Sequence, residues 1–153
     1  MRTVYKQPVI CCFWRFWPQI YDSAQATNQK PKLEFMHREW SDYEVHREVG
    51  NIVQEFGLLK CLECAKAVKR WLKKQGIHGI HIKITTADKD DFIVSDRWNN
   101  GRESITQNGT HHGIEVRGKV FDNLSPIGLP RRDWLQDFDC REGRFNLEEI
   151  EIF

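Results

Sequence analysis

The sequence predicts an α+β domain, with N-terminal helices packed on a mainly antiparallel sheet. Three observations lead there. Apolar residues recur at helical spacing in two successive stretches between Ser41 and Gln75. The period then changes to two, with Ile80, Ile82 and Ile84 alternating with His81, Lys83 and Thr85. Beyond that, short alternating runs are punctuated by turn signals such as Asn108-Gly109. Helices first and strands after, without regular alternation of the two, is the element order of an α+β fold.

Each element has its own signature. Ser41-Asp42-Tyr43-Glu44 is a capping box, in which Ser41 and Glu44 satisfy each other's backbone N–H. Val45, Val49, Ile52, Val53 and Phe56 then share one helical face, and Gly57 stops it. A second helix starts at Cys61 or Cys64 and runs to Gln75. Its expected buried stripe is Ala67, Val68, Trp71 and Leu72, with Lys66, Lys69, Arg70, Lys73 and Lys74 outside and Gly76 as its stop. Residues 86 to 103 are charged and lack a period. They are expected to form a long loop, of the kind that serves as a lid or binding element. "HHGIEV", Arg117-Gly118 and "KVFDN" read as a β-hairpin. Pro130 suits the first position of a short helix carrying Trp134, Leu135 and Phe138. Leu147, Ile150 and Ile152 form the expected last strand.

The 153 residues fit one domain, placed at 41–153, with an aromatic arm and polar linker at 1–40. Trp14, Phe16 and Trp17 lie in that arm. Arg2 and Lys6 before an apolar stretch, and Ala24-Gln25-Ala26 after it, imitate a secretory signal, but Arg15 and Pro18 interrupt the apolar part. No run approaches the roughly 20 apolar residues a membrane helix needs, so no span is expected. A net charge of +1 argues against a nucleic-acid binder, and the lysines of the second helix read as a solvated outer face. Five cysteines, odd in number and irregular in spacing, argue against a complete disulfide framework.

Cys61 and Cys64 form a C-x-x-C. Structural zinc needs four ligands, and only the adjacent pair His111-His112 is left to complete a set. A redox pair is normally entered from a strand, whereas here a helix precedes it. Two small buried side chains on a helix remain the plain alternative. The position of Cys64 near a helix N-terminus points to a thiolate, because unpaired N–H groups and the helix dipole stabilise one there. Lys60 and Lys66 add to this and Glu63 opposes it.

A thiolate needs a base, and the base an orienting group. If Arg117-Gly118 is a two-residue turn, Val116 faces Lys119. His111, Gly113, Glu115, Val120 and Asp122 then share one face, and His112, Ile114, Val116, Phe121 and Asn123 the other. His111 and Asp122 become diagonal neighbours. Asp122 is expected to accept Nδ1–H of His111 and leave Nε2 for the thiol. The Cys64 backbone N–H is the expected oxyanion donor, with Gln54 a second candidate. The plain alternatives are a polar strand histidine and a turn-forming Asp122-Asn123.

"CLECAKAVKRWLKKQGIHGIHIKI" followed by "SITQNGTHHGIEVRGKVFDNLSPIGLPRRDW" resembles the papain fold toxin 2 domains of bacterial polymorphic toxin systems. The resemblance covers residues 45–140. It is carried by C-x-x-C-A at 61–65, N-G-x-H-x-G-I at 108–114 and V-F-D-N at 120–123. It implies a papain-like fold with Cys64, followed by Ala65, as nucleophile, His111 as base and Asp122 as third residue. Asn123, His112, Cys61 and Gln54 are auxiliary candidates. The implied activity is acyl transfer at amide bonds, as a peptidase, glutamine deamidase or transglutaminase; the alternative is an inactive interaction domain. No cofactor and no metal are expected. The implied partners are a target-cell protein as substrate and a cognate immunity protein. The implied location is synthesis in a bacterial cytoplasm and delivery into a target cell.

Overall fold

Ser41 caps the first helix as its sequence dictates. In a computed structural model of the chain, which describes residues 38–88 and 90–153, Ser41 Oγ accepts the Glu44 N–H at 3.3 Å and Glu44 Oε2 accepts the Ser41 N–H at 3.0 Å. Helix α1 then spans Asp42–Val53 and buries Val45, Val49 and Val53. Helix α2 spans Cys61–Gln75 and ends on Gly76 at φ 69°, a left-handed conformation that glycine adopts without penalty. The start of α2 lies at the earlier of the two expected cysteines. Lys60 is non-helical and its carbonyl accepts the Cys64 N–H at 2.9 Å, so Cys61 is the first helical residue. Cys64, Ala65, Val68 and Leu72 form the buried stripe; Ala67 and Trp71 are only half-buried. Trp40 packs edge-on against Trp71, with 5.2 Å between ring centroids. The expected aromatic arm, with Trp14, Phe16 and Trp17, lies outside the described residues.

The main sheet is antiparallel. Its strands are β1 (Ile80–Thr86), β3 (Thr110–Val116), β4 (Lys119–Phe121) and β6 (Phe145–Ile152), in the order β4-β3-β1-β6. A second, two-stranded sheet pairs β2 (Val94–Ser95) with β5 (Phe138–Asp139), and a short helix α3 (Arg131–Gln136) precedes β5. The region 86–103 is therefore not loop alone, because it carries β2 and a 3-10 turn at Asn99–Gly101. Two paired residues give no readable periodicity, which is why β2 escapes a sequence reading. Phe138 belongs to β5 and not to the short helix, and Pro130 caps that helix from just outside.

The hairpin has the expected register: Val116 pairs with Lys119, Glu115 with Val120 and Ile114 with Phe121. Arg117 at φ 49° and Gly118 at φ 78° supply the two positive-φ residues that a two-residue turn between twisted strands requires. Period-two alternation then divides the side chains between two cores. Ile114, Val116 and Phe121 join the buried faces of α1 and α2. Val120 joins Ile82, Ile84, Trp134 and Phe138 in the other core. Because β4 stops at Phe121, the Thr110–Gly113 half of β3 has no β4 partner. Among the described residues no helix is long and apolar enough to cross a membrane.

Candidate active site

The site gathers at that half of β3, which pairs with β1 alone. His111 is fully buried, and its ring lies 5.0 Å from Phe138 and 6.1 Å from Trp134, centroid to centroid. Its Nε2–H donates to Asp122 Oδ2 at 3.0 Å. Asp122 is equally buried and takes two further hydrogen bonds, from Trp134 Nε1–H at 2.6 Å and from the Leu124 N–H at 2.9 Å. The Arg97 guanidinium stands 3.8 Å from the same carboxylate and is held by Asp137 at 2.9 Å. A buried carboxylate survives ionised only when paired and hydrogen-bonded, and Asp122 has both kinds of support. Burial pushes its pKa up, but the His111 hydrogen bond and charge, Arg97 and Trp134 outweigh it and hold the carboxyl below its ordinary value.

An ionised carboxylate can only accept, so His111 Nε2 carries a proton and Nδ1 is the nitrogen left over. Nδ1 is buried without a hydrogen-bond partner among the described residues. Of the two α2 thiols, Cys61 is the one whose titration is linked to the ring. Burial alone would raise the Cys61 thiol. The His111 hydrogen bond and charge, then the backbone N–H groups of His112 and Leu62, reverse that and lower its pKa. Burial would likewise lower His111, but its bonds to Asp122 and Cys61 raise it to about 9. The two shifts run in the direction of a thiolate beside an imidazolium.

Cys64, the nucleophile expected from the sequence, makes no hydrogen bond with His111 among the described residues. It is fully buried among the apolar side chains of α1 and α2. Burial, and then the charges of Asp122 and Cys61, push its thiol up to about 12. The reason is helical geometry. Three residues advance a helix by roughly 4.5 Å, so Cys64 sits almost a full turn inside the core while Cys61 occupies the N-terminus. The expected nitrogen is also exchanged. Nε2, the far atom of the ring, reaches Asp122 across the open end of the hairpin. Nδ1, nearer the β3 backbone, is left without a hydrogen-bond partner.

The auxiliary candidates separate as well. His112 faces the other side of the sheet, where its Nδ1 lies 3.1 Å from His81 Nε2; burial and neighbouring positive charge lower it to about 4. Asn123 donates to the Gly57 carbonyl at 2.9 Å and ties the hairpin to the α1–α2 loop. Gln54 lines a different cleft, with Tyr43, His46 and Lys119. Cys61 instead opens on a cleft of about 420 Å³, flanked by Leu59 and Leu62 on one side and Thr106, Gln107 and Asn108 on the other, with His112 also lining it. Among the described residues, no three His, Cys, Asp or Glu side chains converge as metal ligands.

Residues 44–139 match the family model of papain fold toxin 2. The chain belongs to that family. No curated protein and no solved structure is significantly similar to it. Three helices on an antiparallel sheet are consistent with the papain-like fold of these toxins. Two residues of this papain fold toxin escaped the sequence reading. Trp134 is visible there only as an apolar residue of a short helix, although a buried indole N–H usually has an acceptor. Arg97 lies in the aperiodic region 86–103 and gives no local signal at all.

Proposed function

We propose that this papain fold toxin is a cysteine-dependent acyl-transfer enzyme acting on amide bonds of a target-cell protein. Cys61, rather than Cys64, is the nucleophile, His111 the acid and base, and Asp122 the orienting group. One observation carries the reading: His111 gives Nε2–H to a buried Asp122, which leaves Nδ1 unpartnered and available to a thiol.

The chemistry follows from that arrangement. The Cys61 thiolate attacks the amide carbon, a C–S bond forms, and the C=O π pair moves onto oxygen. The unpaired backbone N–H of Cys61, at the helix start, is positioned by type to receive that charge. Collapse breaks the C–N bond, and the leaving nitrogen takes a proton from His111. His111, now neutral, then takes a proton from water as it attacks the thioester, and the acid and the Cys61 thiolate are released. Asp122 keeps the ring in one tautomer and stabilises its charged form. Water at a peptide gives a peptidase and water at a glutamine amide a deamidase; an amine in place of water gives a transglutaminase. A cognate immunity protein is the partner that membership of a toxin family suggests.

Mass spectrometry of target-cell proteins after exposure to wild type, Cys61→Ala and Cys64→Ala tests this. New chain termini identify a peptidase, and a gain of about one dalton at glutamine identifies a deamidase. Either change should vanish with Cys61→Ala and persist with Cys64→Ala. Changes that survive Cys61→Ala would overturn the assignment, and a Cys61 no more reactive than an ordinary thiol would favour a catalytically silent interaction domain.

A further inference from the structure

The Asn108 and Gly109 of N-G-x-H are not used by the reaction above, yet the structure fixes both. Gly109 adopts φ +63°, and a Cβ there would lie 1.9 Å from the Asp90 carbonyl oxygen. Its own carbonyl accepts the Thr86 N–H at 3.0 Å, which clamps the turn to β1. Asn108 Oδ1 accepts the Thr110 N–H at 3.2 Å and receives Thr106 Oγ1 at 2.9 Å. A backbone N–H can only donate, so the amide atom facing Thr110 must be oxygen. Its nitrogen therefore lies on the opposite branch of a planar amide whose orientation is already locked. Nδ2 has no hydrogen-bond partner among the described residues, Asn108 is exposed, and it lines the cleft onto which Cys61 opens.

We infer that Asn108 is a substrate-contacting residue whose Nδ2–H donates to a carbonyl oxygen of the acyl group bound beside Cys61. The inference rests on Cys61 being the nucleophile. A locked, outward-facing amide donor needs no reorganisation when a carbonyl arrives, and such donors act most strongly where charge grows on oxygen. A backbone N–H at the α2 start supplies one donor on one side of the cleft. Asn108 supplies a second from the facing loop. This makes the ligand class an acyl carbonyl compound, bound through its oxygen, and explains why the histidine is preceded by a turn that holds an asparagine rigid.

The test pairs two probes of the same thiol. Methyl methanethiolsulfonate carries no carbonyl: the Cys61 thiolate attacks its divalent sulfur, a disulfide forms and methanesulfinate leaves. N-acetylglycinal does carry one: the thiolate adds to the aldehyde carbon and the oxygen takes the His111 proton, giving a reversible hemithioacetal. Both are measured on the full chain for wild type, Asn108→Ala and Asn108→Asp. The aspartate keeps the two accepted bonds that shape the turn, removes the donor and adds a negative charge, so the alanine, which adds no charge, separates loss of the donor from a charge effect. The expected result is at least a tenfold weaker aldehyde affinity in both variants, with thiolsulfonate rates within threefold of wild type. Aldehyde affinity within threefold of wild type overturns the inference. So does a parallel fall with both probes, which would mean that Asn108 supports the thiolate and not the substrate. A wild type that reacts with the thiolsulfonate but captures no aldehyde also overturns it. A wild-type Cys61 that reacts no faster with the thiolsulfonate than a free thiol brings down the nucleophile assignment, and this inference with it.

Discussion

Cys61 and Cys64 lie three residues apart on α2 and meet opposite environments. The first opens on a cleft and has its thiol pKa lowered by His111 against the pull of burial; the second is sealed in the core with its thiol pushed up to about 12. Replacing them should therefore separate reactivity from stability. Cys64→Ser should lose about 1–3 kcal/mol of stability, because a hydroxyl enters an apolar core without a prepared partner. Its rate of Cys61 alkylation should not change. Cys61→Ser should show the reverse, and urea denaturation together with iodoacetamide labelling reads both.

Alkylation of Cys61 should depend on pH through His111. The lowered thiol pKa predicts faster labelling at pH 7 than for an ordinary thiol, decaying only as the pH falls through that lowered value. His111→Gln removes the hydrogen bond and the charge that lower it and leaves the burial that raises it. The midpoint should then move above the ordinary thiol value of 9.0. A midpoint unchanged by His111→Gln would show that the imidazole does not act on the sulfur.

Asp122→Ala should cost about 3–5 kcal/mol, since it leaves a buried imidazolium without its partner. The sign of the pH effect follows from the depressed carboxyl. The stability Asp122 contributes is complete above its ordinary value of 3.8 and is lost as the pH falls through the lower folded value. Wild type should therefore lose its advantage over Asp122→Asn on acidification, as followed by chemical denaturation at several pH values.

Trp134→Phe keeps most of the packing against His111 and Phe138 but removes the indole N–H that donates to Asp122 at 2.6 Å. A hydrogen bond to a charged group is worth about 1.5–3 kcal/mol, and that loss is expected in unfolding. The labelling rate of Cys61 should also fall, because a carboxylate freed on one side holds the imidazole less firmly. An unaltered rate would restrict Trp134 to packing.

Gly109→Ala combines a positive φ with a Cβ 1.9 Å from a backbone oxygen. The expected loss exceeds about 2 kcal/mol. Because Gly109 sits two residues before His111, labelling of Cys61 should fall with it; Gly118→Ala, whose Cβ meets nothing within 4 Å, should leave labelling intact.

Local chemistry made much of this legible in advance. The Ser41–Glu44 box, the Gly76 stop, the Arg117-Gly118 turn and the alternation that sets His111 beside Asp122 all depend on near neighbours or on a period of two, which a single sequence displays. The helix start was less legible. Lys60 makes no side-chain cap hydrogen bond, so nothing local distinguishes Cys61 from Cys64 as the first residue of α2. The two-residue pairing of β2 with β5, the reach of Trp134 to Asp122 and the guanidinium of Arg97 join residues far apart in the chain. By itself the sequence determined the helices, the hairpin, its register and the histidine–aspartate pair. Only the tertiary structure decided which cysteine opens on a cleft and which nitrogen of the histidine Asp122 holds, because less than one helical turn separates a thiol lining a cleft from a thiol buried in the core.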